Sequence, residues 1–409
     1  MSLGLLDFFT STPTEEKFAR LALKAFADSG HAGPLSYDAS EFRLVGGSGS
    51  AEIYNLHNAY RDYCDARRGQ RPEVLAHYIR SMQAPAMPAT FAEARAGLRP
   101  VLRGRSMLEY MRLMHAGQRA TQPFKQGSAP FSADSVLMLA YDSPHSIQTL
   151  SHIALSDWGV TFDEALSAAL DNLRDMTVAN FVRVAPGLLQ AAWDDSYEAS
   201  RILLADLFFR LEVGGDPVVM IPTRNRLLVA SSNDSAAQLA MLALSRSYAS
   251  EEGRSISALM YRFEQGKAVA YLPADAEVQA ELAQLKKIYL ADDYASQKQL
   301  LDKANEENEV DIFVATCQLV QKKDSGRLIS YGVWTEGVDT LLPEVDLVAL
   351  VRPDAGREHG AGAPKLVAWD DLRASIQELT HSVEGYPARY RLRNFPSQDQ
   401  FDALTARDF

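Results

Sequence analysis

The chain is poor in cysteine, with only Cys64 and Cys317 among its 409 residues. Two cysteines so far apart in sequence form neither a CxxC redox motif nor half of a zinc knuckle. A disulfide between them would require an oxidising compartment, and nothing else in the sequence indicates one. We therefore expect two separate buried thiols and a core that does not depend on disulfides.

The chain also lacks an excess of positive charge and a long apolar run. Its 41 Lys and Arg residues are outnumbered by 53 Asp and Glu residues, which gives a net charge of −12. A protein that covers nucleic acid needs clustered Lys and Arg side chains to replace the phosphate counterions. No stretch reaches the roughly 18 consecutive apolar residues that a membrane-spanning helix needs. We expect a cytoplasmic protein with no nucleic-acid partner and no membrane partner.

Recognisable catalytic and cofactor motifs are absent as well. The sequence has no HExxH zinc motif, no G-x-S-x-G nucleophile elbow and no P-loop. The glycine-rich stretch at 46–50 lies between two β-type runs and predicts a hairpin turn. Adjacent carboxylates occur at Asp194-Asp195, Asp292-Asp293 and Asp370-Asp371, but without the spacing of a calcium loop. We expect no metal site and no cofactor.

What the chain does have is enough length and apolar content, 47% of its residues, for two or three packed cores. The pattern predicts an N-terminal α+β domain at 1–118 and a central α+β domain at 131–274. A connecting helix at 275–308 and a small C-terminal α+β module at 309–409 follow. Within the first domain, the apolar periodicity at 58–82 predicts a long helix that is interrupted near 68–72.

The central region alternates β-hairpins with helices. Thr161 is expected to cap a helix that reaches Asp175, because Asp163 and Glu164 follow in its first turn. Further helices are predicted at 196–211 and 234–250. Hairpins are predicted for three pairs of runs: 181–184 with 188–192, 218–221 with 226–231, and 256–263 with 267–272. This order is typical of the α+β class.

Five segments of the sequence resemble the YtpQ-like family of uncharacterised bacterial proteins. They are Pro100–Arg103, Leu139–Asp142, Ala168–Leu173, Tyr197–Leu203 and Pro222–Val229. The resemblance covers about residues 14–273 and leaves the C-terminal region outside. It implies curved antiparallel sheets with helices packed on one sheet face. It brings no activity, cofactor or catalytic residue to this chain.

The most prominent polar residues of the central region are candidates for ligand binding: Asn172, Arg201, Arg224 and Arg226. Asn172 interrupts an apolar helical segment, and its plainer interpretation is a tie between that helix and a loop. Arg201 has a local partner in either Asp195 or Glu198, or a carboxylate elsewhere in the fold. Arg224 and Arg226 flank a hairpin tip, which favours contact with a peptide or an anion.

These observations predict a non-enzymatic protein-binding role, as an adaptor or chaperone-like module in which a sheet surface or a hairpin edge recognises a partner protein. The alternative is a hydrolase with a polar groove around Asn172, Arg201 and Arg224. The aromatic pair Trp193 and Tyr197 belongs either to the core or to an exposed groove. The sequence leaves the partner, the substrate and the oligomeric state open.

Overall fold

The computed structural model describes residues 12–31, 33–46, 52–82, 87–117, 124, 127–143, 146–253, 255–353, 364–377 and 380–408. It has an α+β fold, as the sequence predicts. The chain divides into two compact units, one formed by residues 1–98 with 140–149 and the other by residues 99–139 with 150–409.

The first unit packs helices against a small antiparallel sheet, and its core is rich in aromatic residues. Its elements are α1 (Glu15–Asp28), β1 (Leu35–Asp38), β2 (Arg43–Gly46), β3 (Glu52–Asn55), α2 (His57–Asp65), α3 (Arg71–Met82) and α4 (Phe91–Ala94). The three strands form an antiparallel sheet in the order β1-β2-β3. Phe18 of α1 is fully buried, and its ring lies 5.1–5.3 Å from the rings of Tyr60 and Tyr63.

The break expected near residues 68–72 is confirmed, because α2 ends at Asp65 and α3 begins at Arg71. The glycine-rich stretch at 46–50 is predicted to form a hairpin turn, and its residues 47–50 lie outside the described residues. The flanking strands β2 and β3 pair antiparallel, with Gly46 opposite Glu52.

The second unit begins with strands and helices that precede the central sheet. They are β4 (Leu98–Gly104), α5 (Arg105–Gly117), β5 (Ser128–Pro130), β6 (Ser135–Ser143), β7 (Ser146–Thr149), α6 (His152–Asp157) and α7 (Phe162–Asp175). The first residue of β4, the end of β6 from Ala140 onwards and the whole of β7 belong to the first unit. The expected start of α7 is confirmed, since Thr161 and Glu164 form a capping box.

The central sheet has six antiparallel strands. Its elements are β8 (Phe181–Ala185), β9 (Leu188–Ala191), α8 (Ala205–Phe209), β10 (Pro217–Thr223), β11 (Arg226–Ser231), α9 (Ser235–Glu252), β12 (Met260–Glu264) and β13 (Lys267–Tyr271). The strand order is β13-β12-β10-β11-β9-β8. Residues such as Met220, Leu228 and Met260 pack from one sheet face against Met241 of α9 and Leu285 of the following helix.

The helix expected at 196–211 is not continuous, and this expectation is wrong. A 3-10 helix at Ala199–Leu203 is followed by the short α8. Ser196 has a positive φ of 67°, and Leu204 has a ψ of 73°, so both lie outside the α-helical region. The apolar pattern of this segment reflects burial over the sheet, which does not require a regular helix.

The C-terminal part consists of one long helix and two small sheets. Its elements are α10 (Ala276–Glu307), β14 (Phe313–Val314), β15 (Gln318–Gln321), β16 (Leu328–Thr335), β17 (Thr340–Pro343), β18 (Leu347–Val351), β19 (Lys365–Ala368), α11 (Trp369–Ser375), β20 (Thr380–Val383), β21 (Arg389–Leu392) and α12 (Gln398–Ala403). The sheet orders are β14-β17-β21-β20 and β15-β16-β18-β19. The pairs β14–β17 and β16–β18 are parallel, and the other pairs in these sheets are antiparallel.

Candidate functional site

The hairpin of β8 and β9 closes one end of the central sheet. Valine at positions 182 and 184 favours extended backbone, and the turn at Pro186-Gly187 reverses the chain. Gly187 has a φ of 69°, and a Cβ atom there would lie 2.3 Å from the Asp234 carboxylate. A side chain at this position would therefore strain the turn and collide with the start of α9.

Strand β8 is the last strand of the sheet, and among the described residues no strand pairs with its outer edge. The Asn180 carbonyl accepts a hydrogen bond from the Ala192 amide. Because antiparallel pairing alternates, the backbone groups of Phe181 and Arg183 are directed away from β9. These N–H and C=O groups form an open hydrogen-bonding edge.

The side chains of β8 do not shield this edge. Val182 is 46% exposed and Val184 is 40% exposed, and Arg183 is exposed between them. Within the described part of the chain Arg183 forms no ion pair. The pairing register shifts between Arg183 and Ala185, so regular pairing covers Phe181–Arg183 and ends at a bulge.

Arg201 lies in the 3-10 helix at Ala199–Leu203 and is fully buried. Its Nη1 and Nη2 donate to the two carboxylate oxygens of Asp195 at 2.9 and 2.5 Å. Its Nε donates to Thr177 Oγ1 at 3.1 Å, and its guanidinium lies 4.2 Å from the ring centre of Trp193. The side chain is fixed by these contacts, which favours a structural role for Arg201 over substrate binding.

The two carboxylates near Arg201 are affected in opposite ways. Burial would raise the pKa of Asp195, but the hydrogen bonds and charge of Arg201 hold it below its usual value. Burial raises the pKa of Glu198, and the negative charge of Asp195 acts in the same direction. Of the two local partners considered for Arg201, Asp195 is the one that it binds, because both Nη atoms donate to its carboxylate.

Arg226 lies in a second polar group, at the C-terminal end of α9. Its Nε donates to Glu252 at 2.6 Å, and its guanidinium lies 4.6 Å from the ring centre of Tyr248. The hydroxyl of Thr223 donates to the other oxygen of Glu252 at 2.6 Å. These contacts tie the β10–β11 hairpin to α9.

The four predicted site residues thus have different surroundings. Asn172 lies half-buried in the last turn of α7, and Arg224 lies half-buried at the tip of the β10–β11 hairpin. Arg201 and Arg226 bind different carboxylates, and a ligand-binding role for the four residues stays a prediction. The exposed groove considered for Trp193 and Tyr197 is wrong, because Tyr197 is only 1% exposed.

A further polar cluster joins α5, α10, the segment before β21 and the first residue of β21. Gln297 of α10 donates to Ser106 Oγ at 3.1 Å and to the Tyr386 carbonyl at 3.0 Å, and it accepts from Arg389 at 2.8 Å. Burial raises the pKa of Asp293 to about 7, against the opposing hydrogen bond from Ser106. Its hydrogen-bonded pairs are up to 191 positions apart in the chain, so no local sequence signal reveals the cluster.

Comparison of the chain with family models, with curated proteins and with solved structures returned no match in any of the three. Membership of the YtpQ-like family therefore stays a prediction. Within the described ranges, no three His, Cys, Asp or Glu side chains are grouped so that they could hold a metal ion. In the same part of the chain, no helix has the length and apolar character needed to cross a bilayer.

Proposed function

We propose that this protein binds a partner protein by adding an extended segment of that partner to the open edge of β8. The observation that carries the proposal is an end strand that combines unpaired backbone groups with exposed valine side chains. Proteins that do not use such an edge protect it with charged residues, proline, bulges or a covering loop. On β8 the bulge comes only after Arg183, and regular pairing extends over Phe181–Arg183 before it. Strand addition supplies affinity through main-chain hydrogen bonds and specificity through alternating side chains.

The side chains of β8 define the expected partner segment. Val182 lies on one face of the strand and favours an apolar side chain directly across from it. Phe181 and Arg183 lie on the other face, since successive residues of a strand alternate. A carboxylate opposite Arg183 would compensate its charge. The partner is therefore an extended segment in which apolar residues alternate with an acidic residue.

The test begins with a library of random dodecapeptides displayed on phage, selected against the full chain. We expect enrichment of sequences with alternating apolar residues and at least one Asp or Glu. The affinity of a synthetic peptide with the selected sequence is measured by fluorescence anisotropy. It should be about tenfold or more lower for the Val182→Lys variant than for the wild-type chain, because lysine blocks edge pairing. Methylation of peptide amides that pair with β8 should cause a comparable loss.

Val383→Lys is the matched control, because Val383 is 40% exposed, close to the 46% of Val182, and lies on β20, an end strand of another sheet. It should leave peptide binding unchanged. Failure to enrich any common sequence would overturn the proposal. So would a peptide that binds Val182→Lys and the wild-type chain equally well, or one that tolerates methylation of every amide.

A further inference from the structure

A surface cavity of about 220 Å³ lies on the central sheet, where β10 begins and β12 ends. Its lining residues are Phe209, Asp216, Pro217, Arg262, Phe263 and Glu264. Cavities for drug-sized ligands are about 300–1,000 Å³, so this one is suited to a single side chain. The cavity shares no residue with β8.

Two aromatic rings form the apolar part of the cavity. Phe209 is 58% exposed, an unusual position for a large apolar side chain. Its ring centre lies 5.7 Å from that of Phe263, which is itself stacked on Phe208 at 5.0 Å. The ring of Phe263 is therefore held in place by Phe208, and the exposed ring of Phe209 is available for contact with a bound group.

The polar part of the cavity has a net negative charge. Arg262 and Glu264 form an ion pair with each other. Asp216 has an exposed side chain and forms no ion pair within the described residues. Its main chain is fixed, because its carbonyl accepts from the Ser232 amide at 2.8 Å and a Cβ atom on Gly215 would lie 2.5 Å from Ser231 Oγ.

These features decide which occupant the cavity fits. A purely apolar side chain would cover the Asp216 carboxylate without compensating its charge, which is unfavourable. An anion would be repelled, because Arg262 is paired with Glu264 and the carboxylate of Asp216 leaves the lining with a net negative charge. A positive charge on an apolar stem satisfies both parts, because the stem packs on the phenylalanine rings and the charge is attracted by their faces and by Asp216.

We infer that this cavity binds a lysine side chain of a partner polypeptide. The aliphatic stem lies against Phe209 and Phe263, and the ammonium group pairs with Asp216. A lysine fits better than an arginine, because the single carboxylate suits a compact point charge that needs no planar two-point contact. The inference is independent of the proposed strand addition at β8, and each can fail without the other.

The experiment uses the full chain and Nα-acetyl-lysine N-methylamide as the probe, followed by saturation-transfer NMR and a titration. We expect saturation of the lysine side-chain protons and an affinity about tenfold lower for Asp216→Asn. Phe209→Ala should weaken binding several-fold. The norleucine counterpart of the probe has a similar stem but no ammonium group, and it should bind about tenfold more weakly than the lysine probe.

Asp399→Asn is the matched control, since it removes one exposed carboxylate from a distant helix and changes the net charge equally. It should bind the lysine probe as the wild-type chain does. Three results would overturn the inference: no saturation transfer from the wild-type chain, equal binding by Asp216→Asn, or tighter binding of the norleucine or arginine counterpart. A thermal melt of each variant establishes that it is folded before binding is compared.

Discussion

Arg201 shows how a single residue that is prominent in the sequence can serve the fold. Its guanidinium is 0% exposed and contacts Asp195, Thr177 and Trp193. Such a bidentate pair fixes geometry because the planar fork matches the carboxylate. Lysine cannot reproduce either the fork or the contact over the indole ring.

Arg201→Ala should lower the free energy of unfolding by about 3–5 kcal/mol, because it leaves the carboxylate of Asp195 without its partner and opens a buried space. Arg201→Lys should recover little of this loss. Urea denaturation of each variant gives the measurement. Arg174→Ala, which removes an exposed pair with Asp171 at 3.4 Å, should change stability by less than about 1 kcal/mol. An equal effect of Arg201→Ala and Arg174→Ala would contradict a structural role for Arg201.

Asp293 predicts a pH dependence of stability. Its pKa is raised to about 7 by burial, and the charges of Asp292 and Asp134 add to this while Ser106 and Arg389 oppose it. The folded chain thus holds a proton that the unfolded chain releases near its ordinary value, about 4. Stability should therefore fall as the pH rises from about 4 through 7 and change no further from this group above that range.

The measurement compares unfolding free energies of the wild-type chain and Asp293→Asn at pH 5 and pH 8. The wild-type chain should lose roughly 2–3 kcal/mol more than the variant between these two pH values, since each of the two pH units between 5 and 7 contributes up to about 1.4 kcal/mol. Asp292→Asn removes the neighbouring exposed carboxylate and should keep most of the wild-type slope. Parallel pH profiles for the wild-type chain and Asp293→Asn would refute the assignment.

At the level of secondary-structure elements, the hairpins and most helices could be predicted from local patterns. Alternating runs and turn residues predict the three central hairpins, and the strands pair as β8–β9, β10–β11 and β12–β13. The segment at 196–211 could not be predicted correctly. Its residues cover the sheet through an irregular path, and a buried arginine in that path is tied to Thr177 on a different segment.

The exposure of β8 is determined by the position of the strand in the sheet and not by its own sequence. The valines at 182 and 184 would equally suit a buried central strand. Only the strand order places β8 at the end of the sheet, where its outer backbone groups meet solvent. A hairpin edge is the general prediction for partner binding. The strand order leaves β8 and β13 at the two ends of the sheet, and the exposed valines of β8 select its hairpin for the test.

At the level of the whole molecule, α10 does more than connect two regions of the second unit. Leu282 and Leu285 belong to the core of the central sheet. On the same helix, Lys287 pairs with Asp346 at 2.8 Å and the Tyr294 hydroxyl donates to the Ala388 carbonyl at 2.6 Å. The helix therefore links the central sheet to the C-terminal sheets through direct contacts.

Leu285→Ala should cost about 2–5 kcal/mol, because the fully buried side chain leaves a cavity in the core. Native-state hydrogen exchange should show faster exchange in β10 and in β16 alike, since both depend on α10. Leu272→Ala is the control, because Leu272 is 68% exposed, and it should change stability by less than about 0.5 kcal/mol. Faster exchange confined to β10 would show that the C-terminal sheets are stable without α10.

The sequence by itself determined the α+β class, the cap of α7 at Thr161, the positions of the hairpins and the absence of familiar catalytic motifs. These features depend on spacing and side-chain preference over a few residues, which a linear chain displays directly. The tertiary structure decided which polar residues are buried, which strand lies at an open edge, and that Ser106, Asp293 and Arg389 meet in one cluster. Burial, strand order and the pKa of a carboxyl group depend on neighbours from distant parts of the chain, and only folding brings those neighbours together.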